Sequence, residues 1–153
     1  MPTPIEDVVQ SVVSRLRRHL NAERLIVRVR EGIPPLPMDV LQIDQALSNL
    51  LENAYRYASG SGEIEILARR WQSWAEIEVV DHGPGIPSED RERVFEEFYR
   101  GEHHDKTPGT GLGLSIARAI VDAHGGEMWI HETPGGGATI GFRLPIEPAS
   151  KRA

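Results

Sequence analysis

Asp39-Val-Leu-Gln-Ile-Asp-Gln-Ala-Leu-Ser-Asn-Leu-Leu-Glu-Asn-Ala-Tyr-Arg-Tyr-Ala58 reads as a helix with two unlike faces. Ile43, Leu47, Leu50, Leu51 and Ala54 recur at helical spacing and make an apolar stripe fit for a core. Gln45, Asn49, Glu52, Asn53 and Arg56 recur at the same spacing on another face. A solvated face favours Lys and Glu, because Asn is a poor helix former. Two Asn one turn apart, flanked by a carboxylate and a guanidinium, point instead to a charged ligand.

Upstream, Thr3-Pro4-Ile5-Glu6 has the form of a capping box with Pro at the first helical position. Ile5, Val8, Val9, Val12, Val13, Leu16 and Leu20 then mark an amphipathic helix. Its start, almost at Met1, fits a domain cut from a longer chain. Residues 25–30 alternate and read as a strand, and residues 32–37 are a stiff extended connector to the helix capped by Asp39. Downstream, residues 63–68 and 74–81 are alternating strands joined by a short hairpin loop. A short helix is expected from Ser88, carrying Val94, Phe95 and Phe98, and then a polar loop from Arg100 to Gly109. Thr110-Gly-Leu-Gly-Leu114 opens a helix that stops at His124-Gly125-Gly126, before a closing hairpin over 128–144. The order predicts an α+β two-layer α/β sandwich: a mixed, mostly antiparallel sheet of about five strands, covered on one face by about three helices. Residues 1–146 make one domain, and 147–153 a flexible C-terminal tail.

Composition excludes several classes. A net charge of −6 with no basic run longer than two residues argues against a nucleic-acid surface, which needs clustered Lys and Arg. The absence of cysteine removes disulfides and thiolate metal sites. No apolar run approaches the length of a membrane span, so this segment is expected not to contact membrane.

Three stretches carry chemistry. The glycines at 109, 111 and 113 follow a polar loop rather than a strand, so a dinucleotide fingerprint does not apply, and no Gly-Lys-Ser/Thr triplet provides a phosphate loop of the Walker type. What remains is a flexible loop bringing backbone N–H groups and a helix N-terminus to an anion. Asp81-His-Gly83-Pro-Gly85-Ile86 ends a strand in a carboxylate and two glycines. A buried Asp accepting hydrogen bonds can read the exocyclic amine of adenine; the alternative is a capping Asp in a tight turn. Asn49 and Asn53 offer amide oxygens one turn apart, and Mg²⁺ prefers hard oxygen ligands while keeping waters and phosphates.

Taken together, Asn49-Leu-Leu-Glu-Asn53-Ala-Tyr-Arg56-Tyr57, Asp81-His-Gly83-Pro-Gly85-Ile86, Phe95-Glu-Glu-Phe98-Tyr-Arg-Gly101 and Gly109-Thr-Gly111-Leu-Gly113-Leu114 occur in a telling order. That order resembles the ATP-binding catalytic domain of sensor histidine kinases, within the gyrase/Hsp90/MutL superfamily and its Bergerat-type fold. The resemblance covers roughly residues 3–144. It implies ATP and Mg²⁺ as ligands. Asn53 would ligate Mg²⁺, with Asn49 beside it as a possible second ligand near the phosphates. Arg56 would contact phosphate and Tyr57 would lie against the nucleotide. Asp81 would accept the adenine amine in a pocket shaped by Gly83, Gly85 and Ile86. Phe95 and Phe98 would pack the base of a lid, with Gly109, Thr110, Gly111, Leu112, Gly113 and Leu114 closing it over the phosphates. Glu52 would be an adjoining polar group assisting catalysis.

The resemblance also discriminates among functions. ATP-hydrolysing relatives and anti-sigma serine kinases carry a Glu general base where this chain has Asn49, which cannot take a proton. Attack on phosphorus by a neutral imidazole nitrogen needs less help from a base. A histidine kinase catalytic domain is therefore the expected function. The alternatives are a free-standing anti-sigma-type serine kinase and a nucleotide-binding module without turnover. His103-His104-Asp105-Lys106-Thr107-Pro108 imitates a phosphoacceptor motif but is one residue short and has no amphipathic helix around it. The acceptor is thus expected on a separate dimerisation domain, with a response regulator downstream and the isolated domain monomeric in the cytoplasm. Local similarity is greatest to KdpD-type kinases, which sense potassium or osmotic state. With few apolar anchors, residues 101–110 are expected to be mobile without nucleotide.

Overall fold

The computed structural model describes residues 2–19, 25–58, 62–83 and 113–147. Helix α1 (Ile5–His19) starts one residue after the expected Pro4, because Pro2–Thr3 form a short strand, β1. That strand pairs antiparallel with β3 (Leu36–Pro37), through Pro2 opposite Pro37 and Thr3 opposite Leu36. The connector before the Asn-bearing helix is therefore anchored to the start of the chain.

The main sheet has the order β2-β4-β5-β7-β6. Strand β2 (Leu25–Val29) lies parallel to β4 (Ile64–Trp71), and a parallel neighbour requires a crossover, which α2 (Val40–Ala58) supplies. The other pairings are antiparallel. β4 turns through Gln72 and Ser73 into β5 (Trp74–Val80), which pairs with β7 (Ala138–Pro145), and β7 pairs with β6 (Glu127–Glu132).

Alternation along the strands sends Ile64, Ile66, Ala68, Ala75, Ile77, Val79, Ile140, Phe142 and Leu144 to one buried face. The apolar stripes of α1, α2 and α3 (Gly113–Ala123) cover that face in a single core. Burying one such Leu, Ile or Phe is worth about 1.5–3 kcal/mol, so these stripes dominate helix docking. The result is the two-layer sandwich that the element order implies.

Helix α2 is central among the three. On one flank Arg15 of α1 forks onto Asp44, at 2.5 and 3.3 Å, and reaches Ser48 at 2.6 Å. On the other flank it packs on α3. Its N-terminus is capped as expected, the Gln42 N–H donating to the Asp39 carboxylate at 3.2 Å. Helix α3 closes in a Schellman arrangement: Gly126 N–H donates to the Val121 carbonyl at 2.9 Å, and Gly125 N–H to Asp122 at 3.0 Å. A side chain at Gly126 would collide with the Arg143 carbonyl, so the chain passes this close to β7 only as glycine. The expected short helix from Ser88, the loop over 101–110 and residues 148–153 lie outside the described residues.

Candidate functional site

Asp81 stands directly after β5 and is 6% exposed. Its backbone N–H donates to the Ala138 carbonyl at 2.9 Å. In return its Oδ1 accepts the N–H of Ala138 and that of Gly83, each at 3.0 Å. The carboxylate is therefore both a turn cap and a buried acceptor. Both bonds fall on Oδ1, and no described residue bonds Oδ2. One oxygen is committed to the fold, and the other can receive a donor such as an amine.

The second cluster lies where α2 meets the start of α3. Asn49 is half-buried, and its Nδ2 donates to the Gly113 carbonyl at 3.0 Å. A carbonyl only accepts, so the amide orientation is fixed: nitrogen toward Gly113, oxygen away from it. Leu114, next in α3, is buried in the core and anchors that N-terminus. Asn53, one turn along α2, is half-buried and makes no hydrogen bond to another described residue. Its amide oxygen is available to a hard cation. Arg56 follows on the same side of α2, also half-buried. Among the described residues no hydrogen bond joins the Asp81 cluster to these amides.

Glu52 is exposed and stands apart. Its charge acts on Arg15, whose pKa is raised chiefly by the hydrogen bond to Asp44, against burial, with smaller contributions from the charges of Asp44 and Glu52. Tyr57 lies in α2, but its side chain is outside the described residues, as are Gly85, Ile86, Phe95, Phe98, Gly109, Thr110, Gly111 and Leu112.

Some contributors carry no signature of their own. Gly137, at φ +109°, passes so close to Asp81 that a side chain there would collide with the Asp81 carbonyl and the His82 Cα. Thr133 and Thr139 share a buried hydroxyl hydrogen bond of 3.0 Å at the base of the same hairpin. Three consecutive glycines, 135–137, were the available signal, being more than a hairpin turn requires.

Two other features can be set aside. The open face of the sheet carries a shallow depression of about 280 Å³ lined by Arg69, Glu76, Glu78, Glu127, Trp129 and Arg143, among others. Most of its polar groups already have partners in the sheet: Arg69 pairs with Glu76 at 3.1 Å, Arg143 with Glu127 at 2.9 Å, and Trp129 Nε1 donates to Glu78 at 2.9 Å. It lies on the sheet face away from the helices, remote from the Asn residues. Among the described residues no three His, Asp or Glu side chains are grouped to hold a metal. A cation here would rely on amide oxygens, waters and ligand phosphates, the donor set Mg²⁺ accepts.

An Asn-bearing helix packed on a glycine-led helix, over a sheet with a buried Asp at a strand end, belongs to a known class. Residues 38–148 match the family described as Histidine kinase-, DNA gyrase B-, and HSP90-like ATPase, and the chain belongs to that family. Within it, the chain is a histidine kinase ATPase catalytic domain of the sensor-kinase kind. It is 38% identical over 136 residues to adaptive-response sensory kinase SasA from Nostoc, covering 88% of this chain and 34% of that protein. It is 37% identical over 145 residues to sensor protein KdpD from Escherichia coli, covering 95% of this chain and 16% of that protein. A structure titled full-length ShkA in complex with AMPPNP superposes with a TM-score of 0.82 at 26% identity, over 97% of this chain and 31% of that one. The chain thus spans about a third or less of the length of these three proteins. Identity to SasA and to KdpD is nearly equal, so the comparisons do not single out the KdpD subtype. No described helix is long and apolar enough to cross a membrane.

Proposed function

We propose that residues 1–146 form one catalytic domain that binds Mg-ATP and donates its γ-phosphoryl group to a histidine on a separate dimerisation domain. The observation that carries this reading is the Asn49–Gly113 hydrogen bond. Where hydrolytic members of the family would hold a carboxylate base, this chain holds an amide whose nitrogen is committed to a carbonyl oxygen. A carboxylate there would point an anion at that carbonyl. Water activation is not provided, whereas an imidazole nucleophile brings its own lone pair.

In this reading Asp81 Oδ2 accepts the adenine amine, and Gly83, Gly85 and Ile86 let the ring lie against the backbone. Asn53 supplies an amide oxygen to Mg²⁺, with Asn49 as a possible second ligand. The ion, when bound, neutralises charge on the phosphates as the transition state develops. Arg56 contacts phosphate, Tyr57 lies against the nucleotide and Glu52 assists as an adjoining polar group. Gly113 and Leu114, at the N-terminus of α3, would offer backbone N–H groups to the phosphates, with residues 109–112 proposed to close over them. Phe95 and Phe98 pack the lid. A neutral imidazole nitrogen of the acceptor attacks the γ-phosphorus, and the bond from that phosphorus to the β–γ bridging oxygen breaks. ADP leaves, the nitrogen carries the phosphoryl group, and the ring proton passes to solvent.

The test joins this chain to a dimerisation domain of a sensor kinase it resembles and supplies Mg-ATP. Acid-labile, base-stable label on that domain is expected, with little ATP hydrolysis by the chain alone. Acid-stable phosphoserine on a seryl protein, or brisk hydrolysis without an acceptor, would overturn the reading. Finer proposals are a potassium or osmotic stimulus of the KdpD kind, a response regulator as final acceptor, and a monomeric, cytoplasmic domain.

A further inference from the structure

His124 sits just past α3, half-buried, and both of its ring nitrogens are engaged by backbone groups. Nε2 meets the Asp39 N–H at 3.0 Å, and Nδ1 meets the Ile120 carbonyl at 2.8 Å. A backbone N–H can only donate and a carbonyl can only accept. The ring must therefore be neutral, with its proton on Nδ1 and its lone pair on Nε2. An imidazolium would carry a second N–H aimed at the Asp39 N–H, and that contact would open.

The two partners give this contact its consequence. Asp39 caps the N-terminus of α2, and Ile120 lies in the last turn of α3. Hydrogen bonds thus clasp α2 to α3 both at the start of α3, through Asn49 and Gly113, and at its end, through Asp39 and His124. The first clasp lies within the nucleotide site, and the second fixes the lever on which it turns. We propose that His124 is a positioning residue for nucleotide binding, and that its protonation loosens α3 and weakens the site in acid. This inference rests on the nucleotide-site reading above.

Among the described residues no carboxylate is hydrogen-bonded to the His124 ring. The Asp39 carboxylate accepts the Gln42 N–H, and Glu127 of β6 pairs with Arg143 at 2.9 Å. Asp122, two residues back on α3, is exposed.

The test measures the Kd for Mg-AMPPNP by calorimetry from pH 8 to pH 5.5, in the parent, His124→Gln and His124→Ala. Gln can place an acceptor oxygen where Nε2 stands and does not titrate. The terminal phosphate also titrates near ~6, but equally for every variant, so the readout is the ratio to the Gln variant. Parent and Gln variant are expected to bind alike at pH 8, and the parent to lose about tenfold more affinity by pH 5.5. The Ala variant is expected to be weak throughout, about tenfold below the parent at pH 8. Parallel pH profiles in parent and Gln variant, or parent-like binding by the Ala variant at pH 8, would overturn the role of His124 alone. No binding by the parent at pH 8 would instead overturn the nucleotide site itself.

Discussion

The side-chain amide of Asn49 donates to the main-chain carbonyl of Gly113 across 3.0 Å, tying the middle of α2 to the first residue of α3, 64 positions away in sequence. An Asp at position 49 would keep the shape and reverse the chemistry, setting a carboxylate oxygen against a carbonyl oxygen. Asn49→Asp is expected to destabilise the domain by about 1–3 kcal/mol, the cost of a lost partner plus an opposed acceptor. It is also expected to weaken Mg-AMPPNP binding at least tenfold. Thermal melts and calorimetry check both, and parent-like values would remove the clasp from the account.

Gly113 and Gly137 make contrasting predictions. A Cβ on Gly113 would sit 3.7 Å from the Asn49 Cβ, an ordinary contact, so Gly113→Ala should change stability by no more than about 1 kcal/mol. At Gly137 the backbone has φ +109° and an added Cβ would collide with the Asp81 carbonyl. Gly137→Ala should cost more than about 2 kcal/mol and displace Asp81, abolishing nucleotide binding. Denaturant titration of the two variants side by side checks the contrast.

Tyr55 of α2 has its hydroxyl buried and, among the described residues, without a hydrogen-bond partner. Burial raises its pKa above the usual tyrosine value, and the charge of Arg17 partly opposes this. The native state therefore prefers the neutral phenol. Its contribution is intact below the unfolded value of about 10 and is lost as pH rises through the higher folded value. Tyr55→Phe should stabilise the domain by up to about 1 kcal/mol, because an unsatisfied polar atom is removed. It should also flatten the alkaline limb of the stability curve, as read by melts between pH 8 and 11.

Arg15 forks onto Asp44 from a position 38% exposed, against 18% for its partner. Exposure limits the gain from such a pair, yet Arg15→Ala also strips Ser48 of a donor. A loss of about 1 kcal/mol is expected, reduced in high salt. Because the pKa of Arg15 is raised, its contribution should be constant throughout neutral pH and fail only in strong alkali.

The sequence made the core and much of the site legible for one reason: both are written in short-range patterns. The stripe of Ile43, Leu47, Leu50 and Leu51 repeats every three or four residues, and Ile64, Ile66 and Ala68 alternate. The capping carboxylate of Asp39 is likewise local to its helix. Pairings between distant segments leave no such trace. The ladder of Pro2–Thr3 with Leu36–Pro37 is too short to show alternation and is built partly of proline. The parallel placement of β2 beside β4 depends on the crossover by α2, not on either strand. His124 reads as a helix end, and its bond to Asp39, 85 residues away, emerges only when the helices dock.

The central claim is that the Asp81 carboxylate and the Asn53 amide serve one ligand, Mg-ATP. Calorimetry with AMPPNP and Mg²⁺ tests it most directly, on the parent chain and on Asp81→Asn and Asn53→Ala. The account predicts saturable binding by the parent, dependence of that binding on Mg²⁺, and its loss in both variants with their folds intact by circular dichroism. Binding by both variants as tight as that of the parent would contradict it.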